Sequence, residues 1–221
     1  DDPGVLYPYG YGLTYADTSK FNPLSEKSGV SSNASFNGSV FTRGDVESVF
    51  NLYLGDSSNW NTPATALSSS SLGGGISIKG TDYKAQEDAR TVIWSGSSRA
   101  SLSVRPQRPI DLTQLGELDK MALSFHWRID EPVINPLSVS IECGEGCGGN
   151  MDISSLLANA PEDKWMKTEI PLRCYIQSGL APNNISTAVK LTSAAKTQIS
   201  LHAVTFNKTA KSGATCPNVA N

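Results

Sequence analysis

A short polar run, Gln86-Glu87-Asp88-Ala89-Arg90, brings an amide, two carboxylates and a guanidinium close together in the chain. Such groups donate and accept several hydrogen bonds at once, as recognition of sugar hydroxyls requires. Gln86 is the preferred contact, because a neutral amide serves a neutral hydroxyl without the desolvation cost of a charge. Glu87 is a second candidate. The alternative is a turn or domain-docking motif in which Asp88 and Arg90 pair across an interface.

Trp60 is a third candidate sugar contact. It lies in the polar stretch Ser57-Ser58-Asn59-Trp60-Asn61, where an aromatic ring without apolar neighbours is expected to be exposed. An exposed indole can stack on the face of a pyranose ring. The alternative is that this stretch packs against another domain. The other tryptophans, at 94, 127 and 165, lie on or beside predicted strands and are assigned to the core.

The four cysteines point to disulfides rather than to a metal. Cys143 and Cys147 enclose a tight, glycine-rich loop and are disulfide candidates. The spacing leaves the pairing of Cys174 and Cys216 open. None of the four has the paired two-residue spacing of a structural zinc site.

The two histidines, His126 and His202, fall within predicted strands and are interpreted as residues on a strand face. No Gly-x-Ser-x-Gly elbow accompanies them, so a hydrolytic triad is not expected. The sequence therefore predicts no catalytic residue, no metal site and no cofactor within this chain.

Alternation of apolar and polar residues predicts strands over most of the chain. The clearest case is residues 119–129, where Met121, Leu123, Phe125, Trp127 and Ile129 share one face. A helix would scatter these residues around its surface. Further strands are predicted at 46–54, 76–79, 91–95, 99–104, 137–143, 166–172 and 199–203. In the last of these, Ile199, Leu201 and Ala203 are assigned to one face.

One short helix is predicted at 152–158, capped by Asp152. About eight strands separated by turn residues, without alternating helices, predict an all-β, antiparallel β-sandwich of jelly-roll type. The net charge of −3 includes no long run of one sign, so a nucleic-acid partner is not expected. No apolar run reaches the roughly 20 residues that span a bilayer.

The segment Tyr7-Pro8-Tyr9-Gly10-Tyr11-Gly12-Leu13-Thr14-Tyr15 resembles the end of the second catalytic domain in glycoside hydrolase family 3, with Tyr9 in place of the usual Phe. Downstream motifs resemble the galactose-binding-like C-terminal domain of bacterial exo-1,3/1,4-β-glucanases of that family. These are Ala85 to Arg90 with Trp94-Ser95-Gly96, Cys143 to Cys147, Met151-Asp152-Ile153, and Ile170 to Cys174. Together they cover most of residues 38–207.

The resemblance implies four regions: the tail of a catalytic domain at 1–15, a linker at 16–37, a β-sandwich accessory domain at 38–209 and a C-terminal tail at 210–221. The opening Asp1-Asp2-Pro3-Gly4 lacks the features of a signal peptide, so we expect the chain to be cut from a larger protein. The family's nucleophile and acid/base residue would then lie upstream of residue 1.

The resemblance implies an accessory domain of a secreted or periplasmic bacterial enzyme that hydrolyses β-1,3 and β-1,4-glucosidic bonds with retention. Its partners would be the preceding catalytic domains of the same chain and a β-glucan or gluco-oligosaccharide. Gln86 would contact a glucose unit beyond the one being cleaved. The alternatives are an autonomous carbohydrate-binding module that uses exposed aromatics such as Trp60, and a purely structural module.

Overall fold

The computed structural model describes residues 36–131, 133, 136–158, 160–210 and 215–219. The predicted catalytic-domain tail at 1–15 and the predicted linker up to residue 35 lie outside these residues. Phe36, which the sequence assigns to the linker, packs its ring edge-on against Phe50 (5.5 Å) and Phe206 (6.1 Å).

Strands make up about half of the described residues. They are β1 (Ser39–Thr42), β2 (Asp45–Val46), β3 (Phe50–Gly55), β4 (Thr62–Pro63), β5 (Ser69–Ser70), β6 (Ile76–Thr81), β7 (Ala89–Trp94), β8 (Ala100–Pro106), β9 (Ala122–Glu131), β10 (Leu137–Gly144), β11 (Cys147–Asp152), β12 (Trp165–Pro171), β13 (Thr187–Ser193), β14 (Thr197–Asn207) and β15 (Asn218–Val219). Two short helices are α1 (Ser154–Leu157) and α2 (Leu172–Gln177), and short 3-10 helices span Leu112–Gln114 and Leu118–Lys120. None of the helices in the described ranges is long and apolar enough to cross a membrane.

The strands form two antiparallel sheets. In the eight-stranded sheet the order is β12-β9-β14-β7-β6-β5, and the hairpin β1–β2 joins through β14. In the seven-stranded sheet the order is β15-β11-β10-β13-β8-β3-β4. The predicted all-β antiparallel sandwich is confirmed.

The core lies between the sheets. On β9, Leu123, Phe125, Trp127 and Ile129 are buried, as their alternation predicts. The rings of Phe125 and Trp127 stack at 4.7 Å, and the Trp127 indole donates a hydrogen bond to Thr168 Oγ1 at 3.0 Å. A fully buried indole thus keeps a partner for its N–H.

A β-bulge interrupts the pairing of β14 with β9. Leu201 pairs with Trp127, but the next pair joins Ala203 to His126, so His202 is an extra residue in β14. A bulge re-aims the side chains around it and changes which residues face the core.

The burial along β14 shows this change. Ile199 and Leu201 are buried before the bulge, and Val204 and Phe206 are buried after it. Ala203 is half-buried. The prediction that Ala203 shares the buried face of Ile199 and Leu201 is therefore wrong, because strict alternation assumes an unbroken ladder.

The strand predicted at 46–54 is also wrong in its extent. The chain leaves the eight-stranded sheet after β2 and enters the seven-stranded sheet at β3. Glu47 makes the turn between them: its carboxylate accepts a hydrogen bond from Thr42 Oγ1 (2.5 Å), and its carbonyl accepts one from the Phe50 amide (2.8 Å).

The prediction of a single helix is wrong. In the predicted region 152–158 the helix α1 is shorter, and the Asp152 carboxylate accepts a hydrogen bond from the Ser154 amide (2.8 Å). The additional helix α2 begins at Leu172, which was predicted to end a strand. Pro171 precedes this helix, and the Leu172 amide donates to the carbonyl of Met121 (2.9 Å).

Two disulfides fasten the structure. Cys143 and Cys147 join the turn between β10 and β11, with Cα atoms 5.0 Å apart. Cys174 of α2 is joined to Cys216, with Cα atoms 5.5 Å apart. The second disulfide holds the segment that adds β15 to the edge of the seven-stranded sheet.

We expect the two disulfides to differ in their contribution to stability, because a longer closed loop restricts the unfolded chain more. Cys174 and Cys216 are 42 residues apart in the sequence, whereas Cys143 and Cys147 are 4 residues apart. The pair Cys174→Ala and Cys216→Ala should lower the free energy of unfolding by about 4 kcal/mol, and the pair Cys143→Ala and Cys147→Ala by about 2 kcal/mol. Urea denaturation without reductant measures both. An equal or larger loss from the short loop would contradict this order.

Candidate functional site

The loop between β6 and β7, residues 82–88, is closed by its own backbone. The Asp88 carboxylate accepts hydrogen bonds from the amides of Tyr83 (2.6 Å), Lys84 (3.2 Å) and Ala85 (3.1 Å). The Asp82 carboxylate accepts one from the Glu87 amide (2.6 Å). Partial burial opposes ionisation of Asp88, but these amides outweigh it and lower its pKa. The loop is therefore held in a defined shape by its own hydrogen bonds.

Gln86 and Glu87 lie at the tip of this loop and are exposed. The structure thus brings these two predicted contacts together. Glu87 has a φ of 53°, and its side chain lies against Gly80 of β6. The Gln86 amide has no hydrogen-bond partner among the described residues, so its donors and acceptor are available.

Asp88 and Arg90 play separate roles. The Asp88 carboxylate is occupied by loop amides, whereas Arg90 is buried, with 6% of its surface exposed. Its Nη1 has no hydrogen-bond partner among the described residues. Burial lowers the Arg90 pKa, and the nearby charges of Asp45 and Glu87 oppose that shift. The alternative interpretation of this motif as a turn therefore fits Asp88, whose carboxylate binds the amides of its own loop.

Four rings, one from the loop and three from strands of the eight-stranded sheet, pack against one another and form the ring cluster. The Tyr83 ring lies 4.4 Å from His202, 4.6 Å from His126 and 4.9 Å from Trp165, measured between ring centroids. The two imidazoles lie 5.3 Å apart. Trp165 is half-buried in this cluster on the outer face of the sheet, so its predicted place in the core is wrong. Trp94 and Trp127 are fully buried, as predicted.

His202 links the bulge of β14 to the loop. Its Nδ1 donates a hydrogen bond to the carbonyl of Asp88 at 2.7 Å, because a carbonyl oxygen only accepts. The His202 carbonyl accepts one from the amide of Gly44 (3.3 Å). Gly44 has a φ of 78°, and a Cβ there would lie 2.8 Å from the backbone of Ala89, so the β1–β2 turn requires glycine.

The ring cluster was missed by the sequence analysis because its members are far apart in the chain. His126, Trp165 and His202 occupy outward-facing positions on three neighbouring strands, and Tyr83 comes from a loop. Both histidines were predicted to lie on a strand face, but nothing in the sequence indicated that they meet Tyr83 and Trp165.

Trp60 lies elsewhere, between β3 and β4 of the seven-stranded sheet, and 42% of its surface is exposed. The buried Asp56 carboxylate shapes this region by accepting hydrogen bonds from the amides of Ser58 (2.9 Å), Gly73 (2.9 Å) and Gly75 (3.1 Å). The Asp56 pKa is lowered to about 2, chiefly because the carboxylate accepts a hydrogen bond from the Ser71 side chain. Burial opposes this shift, but the backbone amides add to it and the net effect is a lower pKa. Trp60 is therefore held on a fixed hairpin.

A groove of about 300 Å³ crosses the outer face of the seven-stranded sheet. Hydroxyls of Ser138 and Ser140 line it, together with Lys190 and Glu142, which form an ion pair at 2.8 Å. Cys147 of the short disulfide loop borders it. No group of three or more potential metal ligands occurs among the described residues.

Residues 50–206 match the model of the Exop_C family, which is described as galactose-binding domain-like. The chain belongs to the Exop_C family. The match spans both sheets of the sandwich and includes the loop, the ring cluster and the groove. The galactose-binding-like domain predicted from the sequence motifs is thereby confirmed.

Solved structures share the fold of this Exop_C domain. The extra C-terminal domain (X) of the exo-1,3/1,4-β-glucanase ExoP from a Pseudoalteromonas species has a TM-score of 0.64 and 20% identity, over 83% of this chain and 99% of that domain. The whole ExoP enzyme has a TM-score of 0.65 and 22% identity over 86% of this chain, which covers 23% of the enzyme. The family 30 carbohydrate-binding module of a Clostridium thermocellum cellulosomal cellulase has a TM-score of 0.55 and 12% identity, over 76% of this chain and 95% of that module.

At these identities the likenesses show a common fold. Among the curated proteins compared, none matches the chain significantly.

We expect Asp88→Ala to open the loop, because three backbone amides would lose their acceptor. The amides of Tyr83, Lys84 and Ala85 should then exchange with deuterium several-fold faster, while the amides of β9 stay protected. Hydrogen exchange followed by NMR measures this. Glu87→Ala is the matched control and should leave those three amides protected. Unchanged exchange in Asp88→Ala would show that the loop does not depend on this carboxylate.

His126 should make the domain less stable in mild acid. Burial, followed by the charges of His202, Lys84 and Lys167, lowers the His126 pKa from its usual 6.5. As the pH falls below 6.5, the unfolded chain binds a proton that the folded chain resists, so the free energy of unfolding decreases until the pH passes the folded pKa.

His126→Gln removes this proton binding. Its Tm should therefore fall less than that of the wild type between about pH 7.5 and about pH 5.5, as measured by calorimetry. Parallel decreases in the two proteins would rule out a contribution from His126.

Proposed function

We propose that this Exop_C domain is the C-terminal accessory domain of an exo-acting β-glucan hydrolase, and that its loop 82–88 contributes to substrate binding on the acceptor side. The observation that carries the proposal is the exposed amide of Gln86 at the tip of a loop closed by Asp88 and supported by Tyr83. A loop whose shape is fixed by its own hydrogen bonds loses little conformational entropy on binding.

Several findings support the assignment to a glucanase. The family match covers residues 50–206, and the similarity to domain X of ExoP spans 99% of that domain. Residues 7–15 resemble the end of a family 3 catalytic domain, although they lie outside the described residues. Retaining hydrolysis needs two carboxyl groups about 5 Å apart across the sugar. We assign those groups to the preceding catalytic domains.

The chemistry at the loop tip suits a neutral sugar. The Gln86 amide both donates and accepts, so it can bind adjacent hydroxyls of one glucose unit. The Glu87 carboxylate can accept a hydrogen bond from a further hydroxyl. Their exposure on an outward-projecting loop favours contact with a substrate held mainly by another domain.

The two disulfides favour an oxidising compartment. Disulfides persist in secreted and periplasmic proteins and are rare in the cytosol. A secreted or periplasmic location is therefore part of the proposal, and it agrees with an enzyme that degrades polysaccharide outside the cytoplasm.

A second candidate function is an autonomous carbohydrate-binding module. The hydroxyl-lined groove on the seven-stranded sheet and the exposed ring of Trp60 favour it. The fold similarity to a family 30 carbohydrate-binding module agrees with it. This function requires that the isolated chain bind glucan and that Trp60→Ala weaken the binding.

The proposed function is tested by Gln86→Ala in the complete parent enzyme, assayed on laminari- and cello-oligosaccharides of increasing length. We expect kcat/KM to fall by about 2- to 12-fold on substrates long enough to occupy acceptor subsites, as one neutral hydrogen bond of about 0.5–1.5 kcal/mol predicts. The Tm should stay unchanged.

Gln114→Ala, at an exposed glutamine of the 3-10 helix Leu112–Gln114, is the matched control. Unchanged kinetics in Gln86→Ala would remove the acceptor-side role and leave a structural or anchoring function.

A further inference from the structure

A pocket of about 280 Å³ lies on the outer face of the eight-stranded sheet, beside the ring cluster. Its lining comes from β9, β12 and β14 and consists of Ser124, His126, Lys167, His202, Ala203 and Thr205. The volume lies close to the lower end of the range for small-ligand sites, about 300–1,000 Å³. The pocket therefore suits a ligand the size of a sugar ring.

The bulge at His202 is the reason that this pocket exists. In an unbroken strand, His202 and Ala203 would face opposite sides of the sheet. With the extra residue, both line the same pocket, and the next outward residue, Thr205, lines it too. Bulges often occur next to functional sites, where they re-aim side chains.

The lining matches a neutral, hydroxyl-rich ligand. Because the His202 Nδ1–H is engaged by the Asp88 carbonyl, His202 offers its Nε2 to a ligand, and the His126 ring offers its two nitrogens. The hydroxyl oxygens of Ser124 and of Thr205, which donates to Asn207 Oδ1, are further acceptors. Among the six lining residues the one ammonium group, that of Lys167, pairs with Glu169 at 3.1 Å. The lining therefore offers an anionic ligand no unpaired ammonium group.

The imidazoles connect this pocket to the loop that carries Gln86. His126 and His202 line the pocket, and the same two rings contact Tyr83 of the loop. His202 also holds the carbonyl of Asp88. A ligand that orders the imidazoles in the pocket would thus further restrict the loop.

We infer that the pocket lined by His126, His202 and Ala203 is a subsite for one glucosyl unit, adjacent to the contact made by Gln86. This inference rests on the proposed function, since it takes its ligand class from the glucan assignment. It adds a second contact region, an open pocket on the sheet, to the exposed contact at the loop tip.

The test is an NMR titration of this chain with cellobiose and laminaribiose at about pH 7.5, following the ring signals of His126, His202 and Trp165. We expect saturable shifts of the two imidazole signals with a dissociation constant of about 1–10 mM, as is reasonable for a small open site. Sorbitol, an open-chain polyol, is the ligand control and should cause no saturable shift.

Ala203→Leu fills the pocket and should abolish the saturable shifts, and Thr205→Leu should do the same from its other side. Ser77→Leu is the matched control, because Ser77 is a half-buried residue of β6 in the same sheet that does not line the pocket. Amide spectra confirm folding of each variant.

Absent shifts in the wild type, equal shifts with sorbitol, or binding that survives both filling variants would overturn the inference. The pocket and the acceptor-side role of Gln86 can fail independently: the titration decides the first, and the kinetics of the complete enzyme decide the second.

Discussion

The structure depends on the pairing of β9 with β14 at the centre of the eight-stranded sheet. Two-residue alternation on β9 buries Phe125 and Trp127 against the opposite sheet and leaves His126 and Arg128 on the outer face. The same backbone that forms the core thereby fixes the positions of polar side chains on the surface. Because buried aromatic residues tolerate little displacement, a site built on these strands inherits the rigidity of the core.

The candidate site combines this rigid sheet with a loop that closes on itself. Asp88 gives the loop its shape, and Tyr83 rests on the imidazoles of the sheet below. These contacts leave the tip, with Gln86, free to meet another molecule. A projection held in this way needs no further ordering before it contacts another molecule.

Much of the fold was predictable from the sequence, because alternation is strong wherever a strand has one buried face. Residues 119–129 illustrate this. Alternation failed at Ala203, where a bulge changes the register, and at 46–54, where one apparent strand is divided between two sheets. The alternation pattern also missed β11, which begins Cys147-Gly148-Gly149 and shows little alternation.

The candidate site was only partly predictable. The loop with Gln86 and Glu87 stood out because its polar groups are consecutive, whereas Tyr83, Trp165 and His202 meet only through strand order. The pocket beside these residues could not be predicted without the bulge in β14, and no local residue pattern indicated that bulge.

Because of that bulge, the pocket depends on the number of residues in β14 and not only on their identity. A point substitution at His202 changes the lining but leaves the extra residue in place, so the altered register persists. Deleting one residue there would restore the simple ladder and exchange the faces on which the end of β14 presents its side chains. A single codon deletion at this point would thus be enough to remove the pocket. Among Exop_C domains, a length difference at this point should divide those with the pocket from those without it more sharply than residue identity does.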